Sequence, residues 1–300
     1  MAGVSDGARI ATAPRTDMAG LAAGLLTVVL WGSAFVGIRA AGESFSPGSL
    51  ALARLIVSGA LLTAVAVYRR ESLPPRRALV TIAIYGVMWL AVYSTTLNAA
   101  ERIVDAGTAA MLISSGPVLT AVLAGYFLKE GFPRWLFIGC AIALAGAAMI
   151  GFATARSGMS GPFGIALLVI AAVAYGSAVV VQKSALRRAS SFQVTWLGVM
   201  AALIVCLPFF APALATEAAK AGPSAIGWAV YLGAFPTALG FASWSFALKR
   251  TTAGRTAALN YLVPVVAVLL GWALLAETPP WLAIAGGVLC LAGVYVARRR

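Results

Sequence analysis

The sequence contains no histidine, only nine acidic residues and few charges of either sign. The absence of histidine excludes every catalytic triad that uses an imidazole base. Charged residues make up 10% of the chain and hydrophobic residues 61%, which excludes a soluble domain with an apolar core and a charged surface. The composition therefore predicts an integral membrane protein.

Motifs for nucleotide and metal chemistry are also missing. The sequence has no GxxxxGK[ST] loop, no HExxH and no CxxC pair, so an ATP-driven pump would need a partner subunit. Cys140, Cys206 and Cys290 lie inside apolar runs without metal-ligand spacing, which is typical of small buried residues. We expect no catalytic residue, no metal and no cofactor.

Ten apolar runs follow a small, polar N-terminal tail, residues 1–17, which we predict to be disordered. Each run is near the roughly 20 residues that cross a bilayer as a helix. The runs occupy residues 18–38, 47–68, 78–97, 106–128, 133–152, 162–182, 191–210, 225–248, 254–275 and 279–297. The expected fold is an all-α membrane protein with ten transmembrane helices.

Basic residues are concentrated on one side of the predicted membrane. With the N-terminus inside, seventeen of the 22 Lys and Arg residues fall in inner segments, and the outer loops hold Arg39, Arg102, Arg156 and Lys220. This bias predicts a multi-pass protein of the inner (plasma) membrane with both termini in the cytoplasm. It also explains the net charge of +13 without a nucleic-acid partner.

The chain contains an internal repeat. An offset of 144 residues matches Trp31-Gly32-Ser33-Ala34 with Tyr175-Gly176-Ser177-Ala178. An offset of 147 matches Pro117 with Pro264, Leu128 with Leu275, Glu130 with Glu277, Pro133 with Pro280, Gly139 with Gly286, and Leu144-Ala145-Gly146 with Leu291-Ala292-Gly293. Five helices per copy is an odd number, so residues 18–152 and 161–297 form two inverted repeats of one transport domain.

These motifs carry a resemblance to a known family. One pattern, which is repeated after position 160, consists of Trp31-Gly32-Ser33-Ala34-Phe35, Arg54 early in the second helix, and Pro117 followed by Leu128-Lys129-Glu130. In this pattern the chain resembles the EamA family of the drug/metabolite transporter superfamily. Within it, the aromatic content is most similar to the YddG-type exporters of aromatic amino acids. The resemblance implies a central cavity lined by helices 1, 3, 4, 6, 8 and 9, with the two halves rocking to give alternating access.

Prolines at matching places in the two halves indicate the transport site. Pro117 and Pro264 each remove a backbone donor, which frees a carbonyl four residues earlier. Interrupted helices at corresponding positions are the best sequence pointer to such a site. The polar residues beside these prolines are Ser114, Ser115, Asn260 and Tyr261. A kink that serves packing alone is the alternative.

Aromatic residues provide a second candidate wall. Tyr85, Trp89 and Tyr93 recur at i, i+4 and i+8 and so share one helical face, with Trp89 near the middle of the helix. Since Trp and Tyr favour the membrane interfaces, an aromatic residue at mid-depth indicates either packing or a stacking surface for a solute. Trp31, Tyr175 and Trp244 are further candidates.

Arg54 is the one charge that adjusting the helix boundaries cannot remove from an apolar run. An arginine at helix centre costs about 2.5–3.5 kcal/mol, so a partner is expected. The sequence leaves two interpretations open. One is a structural pair with Glu101, with Asp105 or with helix-end carbonyls, and the other is a clamp for a substrate carboxylate. The second half has Gly198 at the equivalent position.

All nine carboxylates fall in loops, tails or turns. Glu130 and Glu277 are expected to cap the helices that follow them. Proton-coupled carriers commonly relay through acids or histidines inside the membrane, so we predict movement of the solute down its own gradient.

The predicted protein is a secondary transporter of small organic metabolites that exports aromatic or other neutral amino acids. A multidrug or cationic-compound exporter and a carrier of other metabolites are alternatives. A membrane scaffold, a lipid flippase and an intramembrane enzyme belong to other classes. Its partners are a small-molecule substrate and the lipid bilayer, and the sequence leaves the oligomeric state open.

Overall fold

The computed structural model describes residues 17–100, 103–104, 112–154, 162–275 and 280–299. These residues form ten helices: α1 (Met18–Gly42), α2 (Pro47–Tyr68), α3 (Arg76–Tyr85, Gly86–Tyr93 and Ser94–Ala100), α4 (Gly116–Phe127), α5 (Arg134–Thr154), α6 (Pro162–Ala185), α7 (Ser191–Ala218), α8 (Pro223–Leu232, Gly233–Leu239 and Gly240–Arg250), α9 (Ala253–Ala258, Leu259–Leu262 and Val263–Leu275) and α10 (Trp281–Ala297).

Eight of the ten helices are long and apolar enough to cross a membrane, and the described parts of α4 and α10 are shorter apolar helices. The all-α membrane fold expected from the sequence is therefore confirmed. The predicted tail lies outside the described residues except for Asp17, whose Oδ1 accepts a hydrogen bond from Gly20 N at 2.9 Å and so caps α1.

The contact between α5 and α10 shows directly that the repeats are inverted. A Cβ added to Gly139 would lie 2.5 Å from Gly293 O, and one added to Gly146 would lie 2.5 Å from Gly286 O. Later residues of α5 thus contact earlier residues of α10, so the two equivalent helices run antiparallel. Between these pairs, Cys290 Sγ lies 3.5 Å from Ala143 O, its own counterpart at the offset of 147. A pseudo-twofold axis therefore crosses this contact.

Helix pairs elsewhere obey the same symmetry. Helix α1 packs on α8 and α9 as α6 packs on α3 and α4, and α2 packs on α7. Gly32 contacts Val266, and Gly176 contacts the matching Leu119. Small residues in the repeated motif thus allow close helix contacts. Each of these helices therefore packs against a helix of the opposite repeat.

Two π-helical segments lie at matching positions, Gly86–Tyr93 in α3 and Gly233–Leu239 in α8. A Cβ on Gly86 would lie 2.2 Å from Gly198 O, and one on Gly233 would lie 3.0 Å from Arg54 O. Since Gly198 is the counterpart of Arg54, the same contact is made twice. A π segment inside a long helix is frequently a feature of a functional site, and these two flank the centre of the bundle.

Candidate functional site

An aromatic cluster lies at mid-depth between the two repeats, with Trp89 at its centre. The Trp89 ring lies 5.2 Å from Tyr175, 5.4 Å from Phe241, 5.6 Å from Trp244, 5.8 Å from Trp31 and 6.1 Å from Tyr85, between ring centroids. These separations suit tilted and edge-to-face aromatic pairs.

The cluster's depth follows from helix position. Trp31, Trp89 and Tyr175 each lie 13 residues beyond the first residue of their helices, Met18, Arg76 and Pro162. At 1.5 Å per residue they lie about 20 Å from those helix starts. Tyr93 joins the cluster through a tilted contact with Tyr175 at 5.8 Å between ring centroids, so the structure brings together six aromatic residues named from the sequence.

Burial divides the aromatic cluster into an inner layer and an accessible edge. Tyr85 and Trp244 are fully buried, and Trp89 and Tyr175 are 3% and 5% exposed. Trp31 and Tyr93 remain partly exposed. Trp31 and Tyr93 therefore form the partly exposed edge of the cluster, and Tyr85 and Trp244 lie behind that edge.

Hydrogen bonds fix the orientation of two indoles. Trp244 Nε1 donates to Gln182 Oε1 at 2.9 Å, and Gln182 Nε2 donates to Ser245 Oγ at 3.0 Å. Trp31 Nε1 donates to Pro236 O at 3.1 Å. Because buried indole N–H groups need partners, these bonds hold the rings in one orientation.

A second group of predicted residues lies at a turn that precedes α4 and at a break within α9. A turn at Ser114 and Ser115 precedes α4, and the 3₁₀ turn Leu259–Leu262 interrupts α9 at the equivalent place. Pro117 and Pro264 therefore lie in the first turn of a new helical segment.

The two breaks contact each other and the aromatic cluster. Tyr261 OH donates to Ser114 O at 2.8 Å, a bond between exact counterparts at the offset of 147. Asn260 Nδ2 donates to Tyr175 OH, and its Oδ1 is buried without a partner among the described residues. Ser115 Oγ bonds locally to Leu112 O at 2.5 Å.

Arg54 points toward α8. Its Nε donates to Thr237 Oγ1 at 3.2 Å, and Thr237 in turn donates to Leu232 O at 2.8 Å within the π segment. Glu101 and Asp105, the carboxylates considered as partners from the sequence, lie outside the described residues. In the part of the chain that is described, no carboxylate pairs with Arg54.

The two halves are tied together at the end of the bundle where α1 begins and α10 ends, which we call the terminal face. Ala253 N, at the start of α9, donates to both Glu130 carboxylate oxygens at 2.9 and 2.8 Å. Arg187 donates to Leu128 O at 3.2 Å. The expectation that Glu130 caps the helix that follows it is wrong, because the carboxylate reaches the other repeat instead. Glu277 lies outside the described residues.

A further contact at the terminal face joins the first and eighth helices. Arg250 lies 3.0 Å from Asp17 Oδ2. The pKa of Asp17 is held below its usual value by the hydrogen bond from the Gly20 amide and then by Arg250. Together these contacts hold the two repeats against each other at the terminal face.

Sequence reasoning missed several participants. Phe241 belongs to the aromatic cluster, and its position three residues before Trp244 was the available signal. Gln182, the last residue of the apolar run 162–182, is fully buried and accepts the hydrogen bond that orients Trp244. Thr237 gave no signal, because its role depends on the π segment.

Comparisons with known proteins agree with this architecture. A model described as the EamA-like transporter family matches residues 18–152 and again residues 162–299. A Streptantibioticus cattleyicolor protein named "Probable terminal-alkyne amino-acid exporter" is 36% identical over 276 residues, which cover 92% of both chains.

Other relatives extend the comparison. The "Uncharacterized inner membrane transporter YedA" of Escherichia coli is 31% identical, covering 89% of this chain and 87% of its own. A "Probable amino-acid metabolite efflux pump" of Salmonella typhimurium is 27% identical, covering 91% and 92%. A solved crystal structure with 20% identity superposes with a TM-score of 0.78 over 95% of this chain and 97% of its own, which indicates the same fold.

Proposed function

Because the chain belongs to the EamA-like transporter family, we propose that it exports amino acids, aromatic or otherwise neutral, by alternating access of its two repeats. Its relatives in Streptantibioticus cattleyicolor and Salmonella typhimurium carry names that refer to amino-acid export and efflux. Both are similar to this chain along nearly its whole length, which supports the same class of substrate here.

The observation that carries the proposal is the aromatic cluster centred on Trp89. A tryptophan at mid-depth is unusual in a membrane helix, since the indole favours the interface. Here it lies between the halves of an inverted repeat, where secondary transporters bind their substrates. Partly exposed Trp31 and Tyr93 offer a flat apolar surface beside it. Such a surface suits the side chain of an aromatic or large aliphatic amino acid.

The orientation follows from the basic residues. With the terminal face in the cytoplasm, seventeen of the 22 Lys and Arg residues lie on the inner side, as the positive-inside rule requires. The contacts of Glu130 and Arg187 then join the two repeats on the cytoplasmic side. The chain acts as a carrier in the inner membrane and not as an enzyme, and it has no nucleic-acid partner.

Transport down the solute's own gradient is the expected energetics, because no carboxylate in the sequence lies mid-helix and histidine is absent. A solute current that follows an imposed pH gradient, measured without a solute gradient, would contradict this part of the proposal.

Export is tested in bacterial cells that lack their own amino-acid exporters. The cells are loaded with a phenylalanine-containing dipeptide, and phenylalanine in the medium is measured over time. We expect faster release and higher tolerance of the dipeptide in cells that express the protein. Equal release with and without expression, at verified membrane abundance, would exclude phenylalanine. Release of cationic dyes instead would favour a multidrug exporter.

A further inference from the structure

Arg54 lies beside the accessible edge of the aromatic cluster. Its Nε–H bonds to Thr237, and the residue before Thr237 is Pro236, whose carbonyl accepts the Trp31 indole N–H at 3.1 Å. The guanidinium and the Trp31 ring are therefore anchored to adjacent residues of one π segment. Tyr93 is close enough to Arg54 for an electrostatic interaction. A positive charge thus adjoins a partly exposed aromatic wall.

Packing does not require this charge. Gly233 of α8 packs against the backbone of Arg54, and Gly86 of α3 packs against the backbone of Gly198 in the equivalent contact. In the second repeat a glycine makes this backbone contact without any side chain. The guanidinium is therefore present in the first repeat only and is not needed for the contact. A charge in an apolar helix that is not needed for packing is expected to serve binding.

The donors of Arg54 suit an anion. A guanidinium has five N–H donors in a planar fork, and the bond to Thr237 occupies one of them with a neutral hydroxyl. The terminal nitrogens form the geometry that binds a carboxylate through two parallel hydrogen bonds. Arg54 is half-buried at this edge of the cluster.

We propose that the Arg54 guanidinium binds the carboxylate of the substrate while Trp31 and Tyr93 contact its side chain. The inference rests on the proposed function and narrows it to carboxylates that carry an apolar or aromatic group, amino acids among them. Amines and amides of the same shape lack the group that Arg54 recognises and are poor substrates.

The role of Arg54 is tested by comparing how an amino acid and its amide bind to the purified full-length protein. Competition against labelled L-phenylalanine compares unlabelled L-phenylalanine with L-phenylalaninamide, in wild type, Arg54→Gln and Arg54→Lys. Arg77→Gln is the matched control, because Arg77 is exposed at the start of α3. We expect Arg54→Gln to weaken the acid roughly 10- to 100-fold, as loss of a charged hydrogen-bonding pair does, and to change the amide by less than about twofold. Arg54→Lys should retain part of the preference.

Two outcomes overturn the assignment. One is a parallel loss of acid and amide in Arg54→Gln, which indicates a structural role. The other is equal binding of acid and amide by the wild type. If Arg54→Gln does not fold, Thr237→Val removes the Nε partner and keeps the charge, and it should weaken the acid more than the amide. Equal weakening there also refutes the proposal.

A further measurement distinguishes two cases: that the protein does not transport amino acids, and that Arg54 does not bind a carboxylate. If the wild type binds no amino acid, thermal stabilisation by 3-phenylpropionate is compared with that by 3-phenylpropanol. Stabilisation by the carboxylate alone, lost in Arg54→Gln, would uphold Arg54 as a carboxylate site while the amino-acid function fails. No stabilisation by either ligand would refute the site.

Discussion

Two neighbouring glycines of α10 should respond oppositely to the same substitution. A Cβ at Gly286 would lie 2.6 Å from Gly146 O and 3.0 Å from Ile150 N, both backbone atoms of α5. Carbon and oxygen normally approach to about 3.3–3.6 Å, so the helices must separate by roughly 0.7–1 Å. At Gly287 the nearest atom is Val265 Cγ1 at 3.6 Å, an ordinary contact.

The expected magnitudes follow from these distances. Overpacking in Gly286→Ala should cost about 1–3 kcal/mol. Gly287→Ala should be neutral or gain up to about 1 kcal/mol, because alanine favours the helix. Thermal unfolding of the detergent-purified variants, followed by tryptophan fluorescence, measures both. The midpoint should fall for Gly286→Ala and stay or rise for Gly287→Ala. Equal or reversed effects would refute the backbone contact between α5 and α10, and with it the observed inversion.

Three further substitutions probe the polar contacts. Gln182→Met leaves the Trp244 indole N–H unpaired, so we expect about 1–3 kcal/mol lower stability and a blue-shifted tryptophan emission. Glu130→Gln removes the charge that Ala253 N binds, so the terminal face should open more often and buried thiols near it should react faster. Asp17→Asn should lower the thermal midpoint slightly at pH 7. Because the pKa of Asp17 is lowered on folding, its contribution is present above about pH 4 and disappears as the pH falls below the folded pKa.

Controls separate these effects from general damage. For Glu130, a cysteine at buried Ser245 reports opening through its labelling rate, and Glu71→Gln should leave that rate unchanged. Unchanged labelling in Glu130→Gln would show that the contact does not hold the face closed. An emission maximum that stays constant in Gln182→Met would contradict the orienting role of that residue. A midpoint difference for Asp17→Asn that persists at pH 2 would contradict a contribution from the charge of Asp17, because the carboxyl is protonated there.

The sequence predicted the fold well because two strong physical signals specify it. Apolar runs of membrane length predicted the all-α membrane fold, and five helices per repeat, an odd number, predicted the inversion. Gly139 and Gly286 match in the repeat because a helix pair that touches through its backbone tolerates no side chain at these positions. Hydropathy is additive along the chain, so these features could be inferred without tertiary contacts.

The site was predictable only in part. Trp89 and Tyr175 were identifiable because aromatic residues at mid-depth are rare, but their burial and partners depend on helix packing. The π segments arise from close contacts between helices, and no local residue pattern marks them. Glu130 illustrates the same limit, since its spacing predicted a local cap but its carboxylate accepts from the Ala253 amide of the other repeat.

Counterflow in proteoliposomes tests most directly whether the Trp89 cluster is the substrate site of a transporter. Vesicles preloaded with unlabelled L-phenylalanine and containing purified wild type should accumulate labelled L-phenylalanine transiently, with and without a proton gradient. Trp89→Leu should lose most of this signal. Trp281→Leu, which removes an indole that is 76% exposed, should retain it. Equal counterflow by both variants would contradict the assignment of the site. Accumulation driven only by the proton gradient would contradict uncoupled transport.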